Sequence, residues 1–481
     1  MPLDPLLRES ATALARRIAG GELSSRQVVD AHIEHALRVG PTVNAIAHDR
    51  FDAARGEADL ADRQLRHLGP AGVGPFHGVP VTVKECLGVA GLRQTAGLVS
   101  RRHTLARVDA TSAARLRAAG AIPIGVTNVS ELMMWMETDN KIYGRTNNPY
   151  DPTRTVGGSS GGEGAIVGAG ASPLGLGSDI GGSIRMPAFF NGVFGHKPSA
   201  GLIPNTGHWP MSENAARRYL CTGPLCRRAE DLWPALRVLA GPDGADPACA
   251  PMTLGDPATV ALAGLKVYDV PTRGPFTIAP ALAEAQRRAA AALAACGATV
   301  ERYDHPRLRQ AFSIWSTLMH DASSVRFADL MSDGEGLRVL RELGALVRGR
   351  STHTFPAFAL AATERLIELV PGRERVVAAA AALKRDIDAL LDDRAVLLYP
   401  SYPETAPRHG RALLPPLKWQ YAAIWNVLEL PVTQVPLGLG PDGLPLGIQV
   451  VAGHGRDHLT VAVALELERR FGGWTPPAVC A

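Results

Sequence analysis

"DATSAARLRAAGAIPIGVTN", Asp109 to Asn128, passes from one structural period to another. Asp109–Ala119 reads as a helix, and the β-branched run in Ala119–Asn128 reads as the strand that follows it. The same exchange recurs along the chain. "GVPVTVKE" at 78–85 is a short buried strand. "AGLKVYDV" precedes the helix "PALAEAQRRAAAALAAC", and "ATVERYD" comes after it. Nearer the start, residues 10–19 and 24–38 carry apolar positions at three- and four-residue spacing, with Ser10 and Ser24 placed as N-caps. Residues 310–395 are mostly helical in character, and "AVLLYP" at 395–400 returns to strand. The end of the chain carries "PVTQVPLGL" and "LPLGIQVVAG", separated by the turn "GPDG". Strands alternating with helices predict an α/β fold whose mainly parallel or mixed sheet is covered by helices.

Composition narrows the function classes. The chain has 481 residues, long enough on length alone for two to four domains. Its 50 basic and 46 acidic side chains leave a formal charge of 50 − 46 = +4, scattered rather than clustered, which argues against a nucleic-acid surface. Six cysteines show no C-x-x-C pair and no metal-ligand spacing, so neither a disulfide framework nor a metal is expected. No apolar run approaches a membrane span and the first residues lack a secretory pattern, so the expectation is a soluble, cytoplasmic protein.

Two glycine-rich stretches carry the chemistry. "VGGSSGGEGAIVGAG", Val156–Gly170, sets Ser159 and Ser160 among glycines. A phosphate cradle would want Gly-Lys-Ser/Thr and finds no lysine here. A G-x-S-x-G elbow fits Gly158, Ser160 and Gly162, and a serine-glycine turn supporting a nucleophile elsewhere fits as well. "LGLGSDIGGSIRMP", Leu174–Pro187, supplies that nucleophile in Ser183. The backbone N–H groups of Ile180, Gly181, Gly182 and Ser183 form an expected oxyanion hole, since glycine leaves an incoming carbonyl unobstructed. A serine needs a base, and Lys84 closes an apolar strand where burial would strip its charge. The requirement is large: at a pKa of about 10.4 a lysine is neutral only about 0.04% of the time at pH 7, a handicap of roughly 4.6 kcal/mol.

"GVPVTVKE", "NNPYDPTRTVGGSSGGEGA", "GLGSDIGGSIRMPA" and "GHKPSAGLIP", in that order, resemble the amidase signature family of serine hydrolases. The 183 − 159 = 24 residue separation of the two serines matches as well. Similarity extends to "GELSS" near the start and to "LLYPSYPETAP" and "LPVTQVPLG…GLPLGIQVVAG" near the end. The resemblance implies Ser183 as the acylated nucleophile, Lys84 as the base, and Ser159 as a bridging serine behind a cis Gly158–Ser159 peptide. Ser160 assists by hydrogen bonding. It also implies an α/β/α sandwich with a large twisted mixed sheet of roughly eleven strands. The chain would form a single domain over 1–481, with a signature core about 75–200 and a helical pocket or lid about 305–395. Asp179 and Arg185 are expected to pair and shape the nucleophile loop, as are Asp151 and Arg154 nearby. His77, His196 and His208 are expected to be packing or surface histidines rather than members of a Ser-His-Asp triad.

The pocket walls are expected from "LMMWME" at 132–137, "IPNTGHWPM" at 203–211, residues 312–327 and "KWQYAAIWNV" at 418–427. Met133, Trp135, Trp209, Trp315 and Trp425 are the expected substrate contacts. The function expected is hydrolysis of a neutral amide, carbamate (urethane) or aryl ester carrying a bulky apolar or aromatic group, through a covalent acyl-enzyme. No cofactor is expected, and the partner is the small-molecule substrate, with a homodimer as family members often form. Two other readings are the glutaminase subunit of a tRNA-dependent amidotransferase and a nucleotide-binding module built on the glycine loops.

Overall fold

Eleven strands form one mixed sheet in the computed structural model, which describes residues 3–270, 276–322, 326–332, 338–367, 372–411 and 417–480. They are β1 (Ile46–Asp49), β2 (Pro80–Lys84), β3 (Ile122–Thr127), β4 (Leu174–Asp179), β5 (Phe194–Lys197), β6 (Cys221–Cys226), β7 (Lys266–Asp269), β8 (Thr299–Arg302), β9 (Ala395–Pro400), β10 (Val432–Leu439) and β11 (Pro445–Ala452). Their order across the sheet is β1-β3-β2-β4-β6-β5-β10-β11-β9-β7-β8. Parallel pairs join β2 to β3 and β4 at one side, and β7 to β8 and β9 at the other. Antiparallel pairs fill the middle. The sheet is the mixed, helix-flanked α/β architecture that the sequence pattern predicts.

Local rules explain where the first two α-helices start. Ser10 accepts a hydrogen bond from the Ala13 N–H at 2.8 Å and starts the helix Ala11–Ala19. Ser24 and Gln27 close a reciprocal capping box at the head of Ser25–Val43. That second helix runs past the expected residue 38, because Val39 and Val43 extend its buried stripe until Asn44 ends it in the left-handed region. The region 305–395 holds the helices Ala311–Ala322, Phe327–Met331, Val339–Val347, Phe355–Ile367 and Arg373–Leu390. Among the described residues no helix is long and apolar enough to cross a membrane.

One feature of β4 positions the site. Its glycines alternate, Gly175 and Gly177 lying on one face, and the helix Gly161–Gly168 presses against that bare face. A Cβ at Gly175 would sit 1.9 Å from Glu163 Oε2. Since β2 runs parallel to β4, with Thr82 opposite Gly175 and Val83 opposite Leu176, both strands end at the same edge of the sheet. Lys84, the last residue of β2, is thereby brought beside the turn that follows Asp179.

Candidate active site

Lys84 is 0% exposed, and its ammonium position makes three contacts. Nζ lies 2.8 Å from Ser159 Oγ, 2.9 Å from Ser178 Oγ and 3.3 Å from the Ser178 carbonyl oxygen. Burial pulls its pKa below the usual lysine value, against the raising influence of Cys86, Asp179 and Glu163. The desolvation on which a neutral lysine base depends is therefore present. Glu163 lies beneath the site, fully buried, accepting hydrogen bonds from the hydroxyls of Thr82 at 2.7 Å and Thr127 at 2.8 Å. Burial pushes its carboxyl up to about 8, although both hydroxyls and Lys84 act in the other direction.

The glycines around Ser159 serve close packing. A Cβ on Gly158 would fall 2.2 Å from the Trp135 carbonyl oxygen, on Gly161 2.1 Å from Thr138 Oγ1, and on Gly162 2.4 Å from the Asn128 nitrogen. Protein atoms thus fill the space a phosphate would need, which removes the nucleotide-cradle reading. The Gly158–Ser159 peptide is cis. Ser160 is fully buried, with its hydroxyl 3.2 Å from the Ser178 carbonyl and its N–H donating to the Ser183 carbonyl at 3.2 Å. An elbow nucleophile at Ser160 is incompatible with that burial.

Ser183 is 8% exposed, the most open of the three expected catalytic side chains, and its hydroxyl has no hydrogen-bond partner among the described residues. Its loop is held from behind. Asp179 accepts from the N–H groups of Gly182 at 2.7 Å and Ile184 at 3.0 Å, and forms a fully buried ion pair with Arg185 at 2.9 Å. Burial alone would raise the Asp179 carboxyl, but the Arg185 charge and these hydrogen bonds hold it well below the usual carboxylate range. Arg185 is tied further to the Ala422 carbonyl, Gln449 and Asn426. Asp179→Asn leaves that guanidinium buried without its charge partner, so unfolding measurements are expected to show a loss of about 3–5 kcal/mol. Asp151 and Arg154 also pair, at 3.1 Å, but partly exposed.

This arrangement corrects the expected oxyanion hole. The Gly182 N–H is spent on Asp179, so it cannot also serve a substrate oxygen. The N–H groups of Ile180, Gly181 and Ser183 have no partner among the described residues, and Gly182, at φ +114°, makes the turn that only glycine takes easily.

The walls divide. Leu132 and Met133 both have positive φ, 52° and 57°, a backbone state that non-glycine residues hold only where the surroundings impose it. Met133, Met134 and Trp209 pack with Leu132 against Met331, Ala357 and Ala361 of the helical region. Trp135 joins through its carbonyl, set against Gly158. Trp315 and Trp419 meet edge to face at 4.7 Å beside Gly181, and the Trp315 indole N–H donates to the Ile180 carbonyl at 2.9 Å. Trp425 is a correction: it is 0% exposed, edge-on to Tyr399 at 5.1 Å, and offers no surface to a ligand because the apolar face of its helix is turned into the core. Residues 323–325 of the expected wall segment 312–327 lie outside the described residues.

The histidines correct the expectation in one case. His77 hydrogen-bonds the Ala61 carbonyl, and His196 pairs with Asp457 at 3.1 Å, fully buried away from these serines. His208 is neither simple packing nor surface: its Nε2 lies 3.0 Å from Ser178 Oγ, one contact from Lys84. Ser178, Cys86, His208 and Glu163 are absent from the expected site, and only the alternating glycines of β4 carried a sequence signal for the last of them.

Comparison with known proteins places the chain in a family and a fold. The family model described as Amidase matches residues 27–461. Fatty-acid amide hydrolase 2-B of Danio rerio is 45% identical, with 99% of this chain and 92% of that protein covered. Fatty-acid amide hydrolase 2 of Homo sapiens is 43% identical, with 98% and 91% covered. A structure of 6-aminohexanoate cyclic dimer hydrolase complexed with substrate superposes with a TM-score of 0.82 at 27% identity, covering 99% of this chain and 100% of that one.

Proposed function

The chain belongs to the amidase signature family and is an amide hydrolase, and on that premise we propose that it cleaves amides with a bulky apolar or aromatic group through an acyl-enzyme on Ser183. The observation that carries this reading is the fully buried Lys84 amine, 2.8 Å from Ser159 Oγ at the edge where the Ser183 loop begins. Neutral Lys84 takes the Ser159 proton while Ser159 takes that of Ser183, whose oxygen bonds to the substrate carbonyl carbon. The negative oxygen that develops is received by the free N–H groups around Gly181 and Ser183. Collapse breaks the C–N bond, and the proton returns through Ser159 to the leaving nitrogen. Water then hydrolyses the ester on Ser183, with Lys84 again as the ultimate base. The substrate reading is supported by the half-buried Trp315 and Trp419 beside Gly181 and by the names of the relatives, fatty-acid amide hydrolases. Carbamates and aryl esters belong to the proposed range because they present the same carbonyl to the same donors.

A panel of long-chain amides, anilides, aryl carbamates and aryl esters, followed by intact-mass measurement, tests the proposal. Turnover of the apolar members with an acyl or carbamoyl adduct on Ser183 is the expected result. Activity confined to free glutamine would favour a glutaminase subunit and overturn it.

A further inference from the structure

We infer that His208 is a positioning residue for the base: by accepting the Ser178 hydroxyl proton, it leaves the Lys84 lone pair with no partner except Ser159. The inference rests on the proposed role of Lys84 and goes beyond it, since that role does not involve a histidine.

The direction of each hydrogen bond follows from what each atom can do. The Pro210 carbonyl, 2.7 Å from His208 Nδ1, can only accept, so Nδ1 carries a proton. Burial, the largest cause, lowers the imidazole pKa, and a charge on Lys84 would lower it further, so at neutral pH the ring is neutral and Nε2 is a bare acceptor. Ser178 Oγ, 3.0 Å away, then donates its proton to Nε2 and keeps only lone pairs for Lys84. A neutral amine has two N–H bonds and one lone pair. The Ser178 carbonyl at 3.3 Å takes one N–H, and the Ser178 hydroxyl oxygen at 2.9 Å takes the other. The lone pair is left for the Ser159 hydroxyl at 2.8 Å. Without the Nε2 acceptor, the Ser178 hydroxyl is free to rotate and donate to the lysine lone pair, occupying the base.

The ring is held in place for this task. The His208 N–H donates to the Asn205 carbonyl at 3.0 Å and the Trp209 N–H to the Cys86 carbonyl at 2.8 Å, while Gln94 bridges the carbonyls of Cys86 and Gly207. A Cβ on Gly207 would lie 2.5 Å from the Ala110 Cα, so the backbone is pinned there too. Cys86 Sγ, 3.3 Å from Nε2, is the competing donor. Its thiol, which burial pushes up to about 11, stays protonated, and the hydroxyl is the nearer and stronger donor. The other groups bearing on Lys84 are the Asp179 carboxylate and the Glu163 carboxyl.

The test measures pre-steady-state acylation by an aryl ester. His208→Phe is expected to slow it about 10²-fold, the lower end of what a misdirected general base forfeits, with substrate affinity unchanged. Its acidic pH limb is expected to move to lower pH even as the plateau falls, because the Ser178 oxygen, no longer polarised by donating to Nε2, accepts less strongly from the lysine ammonium and the neutral amine is favoured. His208→Gln, which can accept from Ser178 and donate to Pro210, should restore both rate and limb to near wild type. In a Ser178→Ala background, His208→Phe should cost nothing further. Imidazole nitrogen NMR of the unmodified protein gives a readout independent of any variant's folding: at pH 7, His208 should show a protonated Nδ1 and a bare Nε2. Wild-type acylation by His208→Phe, equal losses in the Phe and Gln variants, additive losses with Ser178→Ala, or a protonated Nε2 would each overturn the inference. Lys84→Ala separates the two claims. If it acylates normally, the base assignment itself falls; if it is inert while His208→Phe acylates normally, only the role of His208 falls.

Discussion

Ser183→Ala is expected to lower turnover of an anilide or long-chain amide by about 10⁵–10⁶-fold, the scale on which hydrolases lose rate when the nucleophile of a cooperating set is removed. Substrate binding should survive, because the proposed walls at Met133, Trp209, Trp315 and Trp419 are untouched, and equilibrium binding of an uncleaved substrate should change by no more than a few-fold. No adduct should appear on the variant in intact-mass spectra. A covalent adduct on Ser183→Ala, or turnover within ten-fold of wild type, would place the nucleophile elsewhere. Stability should be almost unchanged, since the Ser183 hydroxyl has no hydrogen-bond partner among the described residues.

Lys84→Met is the second large effect. It removes the proposed base from a proposed chain in which every other member is a hydroxyl, and general-base catalysis of this kind is worth about 10²–10⁴-fold. Acylation by an aryl ester should fall by the upper end of that range, and by more for an amide, whose leaving nitrogen also needs a proton. The wild-type pH profile carries the sign of the mechanism. Because burial lowers the lysine pKa, the neutral fraction rises as pH climbs through that lowered value, and acylation should rise along the same limb and level off below the ordinary lysine range. Stability follows the same group. Between the lowered pKa of the folded state and about 10.4 the unfolded chain binds the extra proton, so Lys84 makes stability increase with pH across that window. In Lys84→Met both the acylation limb and this part of the stability slope should vanish. A rate profile unchanged in shape would mean that another group titrates.

Much of this site was legible because it is written in local rules. The capping serines at 10 and 24 lie beside the helices they start, and the glycines around Ser159 announce tight packing whatever surrounds them. The Asp179–Arg185 pair spans less than two helical turns and fixes its own loop. Other features depended on atoms brought from far along the chain. The Gly182 N–H looks free for a substrate until the Asp179 carboxylate is seen to turn back onto it. Trp425 reads as a wall from its company in "KWQYAAIWNV", and only the packing of that helix against β9, through Tyr399, puts it inside the core.

From its order of residues alone, this chain determined that strands alternate with helices, that a lysine ends an apolar strand, and that two serine-glycine turns follow at a set separation. Those features arise from backbone preferences and side-chain periodicity within a few residues, so no distant contact is needed to specify them. What the tertiary structure decided is which partner each polar atom obtains: Lys84 reaches Ser178, 94 residues away, because β2 and β4 lie parallel and end at the same edge, and His208 meets Ser178 from the connection between β5 and β6. Hydrogen bonds act over about 3 Å, and desolvation depends on what surrounds a group on every side, so the lone pair on which the proposed base role of Lys84 depends is favoured only once the sheet is assembled.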